Sequence, residues 1–141
     1  MIEGLYPVLP FVVGAILCFL LGGIARKVIA IATPVVGLLG LLGLPYGTSF
    51  PVSFFGFDLI LVDLDKLSYL FALLFHIAGI IGVLYALHIK SRVETSAALL
   101  YAGSAVATVL AGDLVTLFIG WEMLALTSAF IVWARDSEKA L

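Results

Sequence analysis

Five apolar runs, Leu5–Ala25, Val28–Leu44, Leu67–Leu87, Ala97–Gly112 and Leu114–Ala134, take up most of this chain. About 20 mainly apolar residues in a helix cross a hydrocarbon core of roughly 30 Å. With no water there to bind backbone groups, the helix is the structure such a run adopts. The second and fourth runs, at about 16–17 residues, lie near the lower limit for a span. Of the 141 residues, 64% are hydrophobic and 11% charged, with a mean hydropathy of +1.28. A soluble domain holds roughly half and a quarter. The reading is an all-α membrane protein, one membrane domain of five transmembrane helices over residues 1–141. Leu5–Ala25 is too long, and lacks the basic leader, to be a cleavable signal.

Several function classes drop out at once. Cys18 is the lone cysteine and lies inside the first run, and no Cys/His cluster has metal-ligand spacing. No iron–sulfur, zinc or cofactor site is therefore expected. A net charge of −2 without a basic patch gives no footing for nucleic acid.

Between the second and third runs, Pro45-Tyr46-Gly47-Thr48-Ser49 clusters turn formers. The aromatic and β-branched segments Phe50–Phe55 and Phe57–Val62 around Gly56-Phe57-Asp58 predict a short β-hairpin over 50–62, extracytoplasmic and at the membrane surface. Pro51 suits only an edge strand there, and Pro34 inside the second run predicts a kink.

Orientation follows from the basic residues. Arg26 and Lys27 follow the first run, Lys90 and Arg92 the third, Arg135 and Lys139 the fifth. The opposite side carries Lys66 against Glu3, Asp58, Asp63, Asp65 and Asp113. Positive charge inside puts the N-terminus outside and the C-terminus in the cytoplasm of a multi-pass plasma-membrane protein. Small residues at spacings of three and four (Gly14, Cys18 and Gly22; Gly37, Gly40 and Gly43; Gly103, Ala107 and Ala111) predict close helix packing.

Glu122 is the deepest acidic residue, eight positions after Leu114 and so about 12 Å along a helix. A carboxylate at mid-membrane is costly and faces protein or water. Its own-face neighbours Val115, Phe118, Ala125, Leu126 and Ala129 offer no partner, so one has to come from another helix or from solvent. Burial favours the neutral form of a carboxyl and a nearby cation the charged form, so a group between those limits can load and release a proton. The alternative is a structural carboxyl bonded across helices. His76, midway along the third run, has the same two readings: a proton relay, since histidine titrates in the physiological range, or a structural donor to a carbonyl. Asp113, in the short link before the fifth run, is expected to cap that helix. Asp63, Asp65 and Lys66 are expected to cap and anchor the third, and His88 and Lys90 to be interfacial. Thr108, Thr127 and Ser128 are either interhelical or water contacts.

The stretch Ala111-Gly112-Asp113-Leu114-Val115-Thr116-Leu117-Phe118-Ile119-Gly120-Trp121-Glu122-Met123-Leu124-Ala125-Leu126-Thr127-Ser128 resembles the fifth transmembrane helix of the antiporter-like family. That family comprises the proton-pumping subunits of respiratory complex I, the large subunits of Mrp sodium/proton antiporters, and relatives in membrane-bound hydrogenases and sulfane reductases. Val62-Asp63-Leu64-Asp65-Lys66-Leu67-Ser68-Tyr69-Leu70-Phe71 resembles the family's approach to its third helix, and the hairpin before it fits as well. Tyr85-Ala86-Leu87-His88 and Gly112-Asp113-Leu114 are most similar to the Mrp and hydrogenase branch. The resemblance implies that Glu122 matches the family's fifth-helix glutamate, which pairs with a lysine two helices later and takes part in proton transfer. This sequence has no mid-membrane lysine; that lysine and the later helices would follow Leu141.

Three functional expectations result. In the first, the chain is the N-terminal part of a split Mrp/complex I-like antiporter subunit. It contributes to proton or sodium translocation, non-catalytic in itself, within a multi-subunit membrane complex driven by redox chemistry or an ion gradient. Its partners are the bilayer and other membrane subunits, one carrying the remaining helices and the lysine for Glu122. In the second, it is a structural or adaptor subunit without its own ion path. A small homo-oligomeric transporter fits less well, because the resemblance already supplies a destination for the carboxylate.

Overall fold

The computed structural model describes residues 5–140, with side chains through Asp136. Glu3, Leu141 and the side chain of Lys139 lie outside the described residues. The element order is α1 (Leu9–Leu20), α2 (Gly23–Leu42), β1 (Ser49–Phe54), β2 (Phe57–Asp63), α3 (Lys66–Tyr85), α4 (Arg92–Leu110) and α5 (Leu114–Ala140). By length and composition α2, α3, α4 and the Leu114–Asp136 part of α5 can each cross a membrane, so the chain is a multi-pass membrane protein.

The first apolar run is not one helix through Ala25. It turns at Leu21-Gly22, and α2 begins at Gly23 with φ +64, a value glycine adopts without strain. Hydropathy does not register this break, because Leu21, Gly22 and Gly23 are not polar; the Gly-Gly pair was the turn signal. Arg26 and Lys27 therefore lie inside α2 rather than in a loop after α1. With 12 residues α1 is only about 18 Å long. Pro10 sits in its first turn, where a missing N–H costs little. An irregular turn over residues 5–8 extends its reach, so that Tyr6 lies against Gly40 near the far end of α2.

α2 runs through Pro34, which is fully buried, while the Thr33 hydroxyl donates to Ile29 O at 2.7 Å within the same stretch. The heads of α3 and α4 are capped by side chains. Asp65 accepts from Ser68 N at 2.7 Å while Ser68 Oγ accepts from Asp65 N, a reciprocal box at the head of α3. Ser91 Oγ accepts from Glu94 N at the head of α4.

The hairpin pairs β1 with β2 antiparallel, slightly longer than residues 50–62. Its turn places Phe55 (φ 50) and Gly56 (φ 79) both at positive φ, as a two-residue primed turn requires. The register slips between Phe50↔Val62 and Pro51↔Ile60, so the irregularity falls at the proline. Ile60 thus faces a residue with no N–H, and its carbonyl instead accepts from Gly112 N at 2.9 Å. That bond ties the hairpin to the α4–α5 link.

α4 is the centre of the bundle, packing on α1, α2, α3, α5 and β2. Close approach makes some positions intolerant of any side chain: a Cβ on Gly103 would lie 2.6 Å from Phe11 Cβ. Phe11, Cys18, Leu41, Leu99, Val106 and Leu110 fill the core.

Candidate functional site

The sequence of α5 decides which way Glu122 points. Thr116, Gly120 and Thr127 are buried, and Leu124, Ile131 and Ala134 are half-buried, a stripe with helical spacing turned toward α4. A Cβ on Gly120 would fall 2.5 Å from Thr108 Oγ1, so the two helices touch there. Glu122 is two residues from both Gly120 and Leu124. At 3.6 residues per turn that is more than half a turn round, on the opposite face. The carboxylate is accordingly exposed, among exposed Phe118, Trp121 and Leu126. Among the described residues no basic side chain lies within ion-pair distance of it.

Asp113 stands at the head of α5. Its Oδ1 accepts from Thr116 N at 2.8 Å, and its Oδ2 accepts from Thr116 Oγ1 at 2.7 Å and from Ile60 N at 2.6 Å. The Thr116 hydroxyl first, then the Thr116 and Ile60 N–H groups, favour the carboxylate and hold Asp113 below its ordinary pKa. The same carboxylate therefore caps α5 and holds the hairpin.

His76 is completely buried in α3, its ring 5.5 Å from that of Phe11. Nδ1 lies 2.7 Å from Ala72 O and Nε2 3.3 Å from Pro7 O. Both neighbours are acceptors. A neutral ring can donate to only one of them, and a doubly protonated ring to both. A Cβ on Gly37 would sit 2.9 Å from Nε2, so α2 closes the third side. Glu122 and His76 are not brought together: one faces outward from α5, the other lies inside against α1 and α2.

Two residues that hydropathy did not single out are buried ions. Arg26 donates through Nη1 to Lys90 O and through Nη2 to Ile89 O at 3.0 Å, stitching α2 to the α3–α4 link. Glu94 is buried on α4 and pairs with Arg135 of α5 at 3.4 Å. The spacing Ser91-x-x-Glu94 marked a helix start, a signal that could have drawn attention to Glu94. These bonds, with Arg92 beside Gly22, gather Arg26, Lys27, Lys90, Arg92 and Arg135 at one end of the bundle. Asp63, Asp65, Lys66 and Asp113 lie at the other, with the hairpin. Thr108, Thr127 and Ser128 all donate within their own helices, to Ser104 O, Met123 O and Ala125 O.

No family model matches the sequence, and no curated protein matches it. In three dimensions the chain is similar to a chain of the membrane-bound sulfane sulfur reductase, an archaeal respiratory membrane complex, with a TM-score of 0.79 and 25% identity. The likeness covers 89% of this chain and 22% of that one. This chain thus spans about a fifth of the length of the chain it is similar to.

Proposed function

We propose that this chain supplies the first five helices of an Mrp/complex I-like antiporter subunit within a multi-subunit membrane complex, and that Glu122 is its proton-transfer carboxylate. The observation that carries the reading is the outward face of α5. A carboxylate about 12 Å along an apolar helix, without a cation among the described residues, is too costly to leave against lipid. Later helices, on a second polypeptide or a longer one, cover that face and bring the lysine. Pairing holds the carboxylate charged; when the lysine withdraws, a proton replaces it. The pair so couples a distant rearrangement to proton or sodium translocation. Five spans fit this reading, because the lead-in to α1 carries it level with Gly40 of α2. The basic end is cytoplasmic by charge bias, which puts the hairpin outside.

His76 takes the subordinate part of a proton-holding group, since a second ring proton finds Pro7 O waiting at 3.3 Å. The same enclosure supports a second reading, a structural or adaptor subunit in which His76 only pins α1 to α3. Glu122→Gln separates the two. It keeps size and much of the hydrogen bonding but cannot titrate. The expected outcome is a complex that assembles normally while its ion transport falls at least about a hundredfold, the low end of what a proton-transfer group contributes. Transport at the wild-type rate in proteoliposomes would leave the adaptor reading standing.

A further inference from the structure

A groove of about 600 Å³ opens between α3 and α4, walled at one end by the start of α2 and reaching Leu124 and Ile131 of α5. Its walls are apolar and built largely of small residues, Gly79 and Gly82 on one side and Ala98, Ala102 and Ala105 on the other. Along α3 it extends from Phe75 to Val83, about 12 Å, and continues past the helix end to Leu87; along α4 it extends from Thr95 to Val109, about 21 Å. A spanning helix would need a slot of roughly 30 Å; one leaflet of hydrocarbon is about half that. The groove is therefore the length of one leaflet.

Its mouth lies at the basic end. Arg26 lines it and is buried, yet among the described residues its guanidinium meets the backbone carbonyls of Ile89 and Lys90 and no carboxylate within ion-pair distance. Lys27 lines it too, exposed and unpaired among the described residues. Glu94 at the same mouth is already engaged by Arg135 at 3.4 Å. Lys90 on the adjoining link and Arg92 at the head of α4 stand exposed. The mouth so presents cations in excess, one of them desolvated without a counter-ion, at the head of an apolar slot one leaflet long.

We infer that this groove binds one anionic phospholipid of the basic-side leaflet, an acyl chain lying between α3 and α4 and the phosphate at Lys27 and Arg26. Basic pockets between membrane helices take anionic headgroups in this manner. The lipid would seal the α3–α4 gap and neutralise Arg26. This site is independent of Glu122, which faces away on the far side of α5, so the failure of either proposal leaves the other intact.

The test uses the assembled complex, purified in mild detergent and measured by native mass spectrometry and by thermal melting. Dioleoyl phosphatidylglycerol, dioleoyl phosphatidylcholine or inorganic phosphate is added in turn. Wild type is expected to retain phosphatidylglycerol over phosphatidylcholine and to melt higher with it, while phosphate has no effect. Lys27→Gln should lower phosphatidylglycerol retention roughly fivefold, the effect of one basic residue near a surface. Gly82→Leu should abolish it, because a Cβ there meets nothing within 4 Å and the side chain enters the slot without a clash. Ala98→Leu, on the facing wall, blocks the same slot if Gly82→Leu disturbs assembly. Equal retention of both lipids by wild type would overturn the proposal, as would full retention by the blocked variants. Stabilisation by phosphate alone would overturn it in favour of a free-anion site. A crosslink from Gly82→Cys to another subunit would overturn it in favour of a protein occupant.

Discussion

α4 and α5 are adjacent apolar helices, each with one glutamate inside its bounds whose side chain is described, and they treat it in opposite ways. α4 touches every other helix and keeps Glu94 buried beside Arg135, while Ser96 donates across to Ala15 O at 2.7 Å. α5 touches α4 and β2 and turns Glu122 outward. The share of each span that is buried follows the same division, 39% for α4 against 17% for α5. A central helix has its polar groups satisfied within the chain; an edge helix leaves that task to what packs on it. The comparison marks the outer face of α5 as the one left without partners among the described residues.

The sharpest way to break the comparison is to strike both helices and read both outcomes. Gly103→Leu drives a side chain into Phe11 at the centre of the bundle and should destabilise the chain by about 3 kcal/mol, the upper range for overpacking. A thermal or denaturant melt in detergent reads this directly. If the substitution is neutral, α4 is not the packed centre.

A smaller loss is expected for His76→Leu. It removes the imidazole from between the Ala72 and Pro7 carbonyls, costing about 1–2 kcal/mol. Hydrogen exchange should show the loss at the start of α1 before it appears in α4.

The effect at the α4–α5 link is smaller again and depends on pH. Asp113 is held below the ordinary carboxylate value of 3.8, so the native state binds its proton more weakly than the unfolded chain does. The stabilisation is present above that value and is lost as pH falls through the lowered one. Protection of the Ile60 and Thr116 amides, relative to their intrinsic exchange, should therefore fall on acidification below about pH 3.8. Asp113→Asn should remove the dependence.

The smallest effect within the isolated chain is expected for Trp121→Ala on the outer face of α5, within about 0.5 kcal/mol. The same substitution should lower the yield of assembled complex. A loss of the isolated fold, with assembly unaffected, would reverse the roles assigned to the two helices.

Much of the architecture was legible because it depends on local sequence. The apolar runs mark the helices, Asp65-x-x-Ser68 marks a helix head, and the aromatic segments around Gly56 mark the hairpin. The boundary between α1 and α2 was misplaced by hydropathy, since two glycines turn the chain as effectively as a charge does. Placing Arg26 in a loop was the consequence; four residues of α2 precede the buried guanidinium or include it. The charge asymmetry survived this error, because Arg26 still lies at the end where Lys90 and Arg135 gather.

By itself, the sequence of this protein determined its solvent, most of its helical segments and the place of one carboxylate along its helix, because hydropathy, turn chemistry and helical rise are properties of neighbouring residues. Only the tertiary structure decided that Glu122 faces out while Glu94 faces in, that His76 meets two carbonyls from different elements, and that a buried arginine heads an apolar groove. Each of these depends on how a helix is rotated about its own axis. In a chain apolar on all sides of its helices, that rotation is set by close contacts such as Gly120 on Thr108 and Gly103 on Phe11, between residues far apart in sequence.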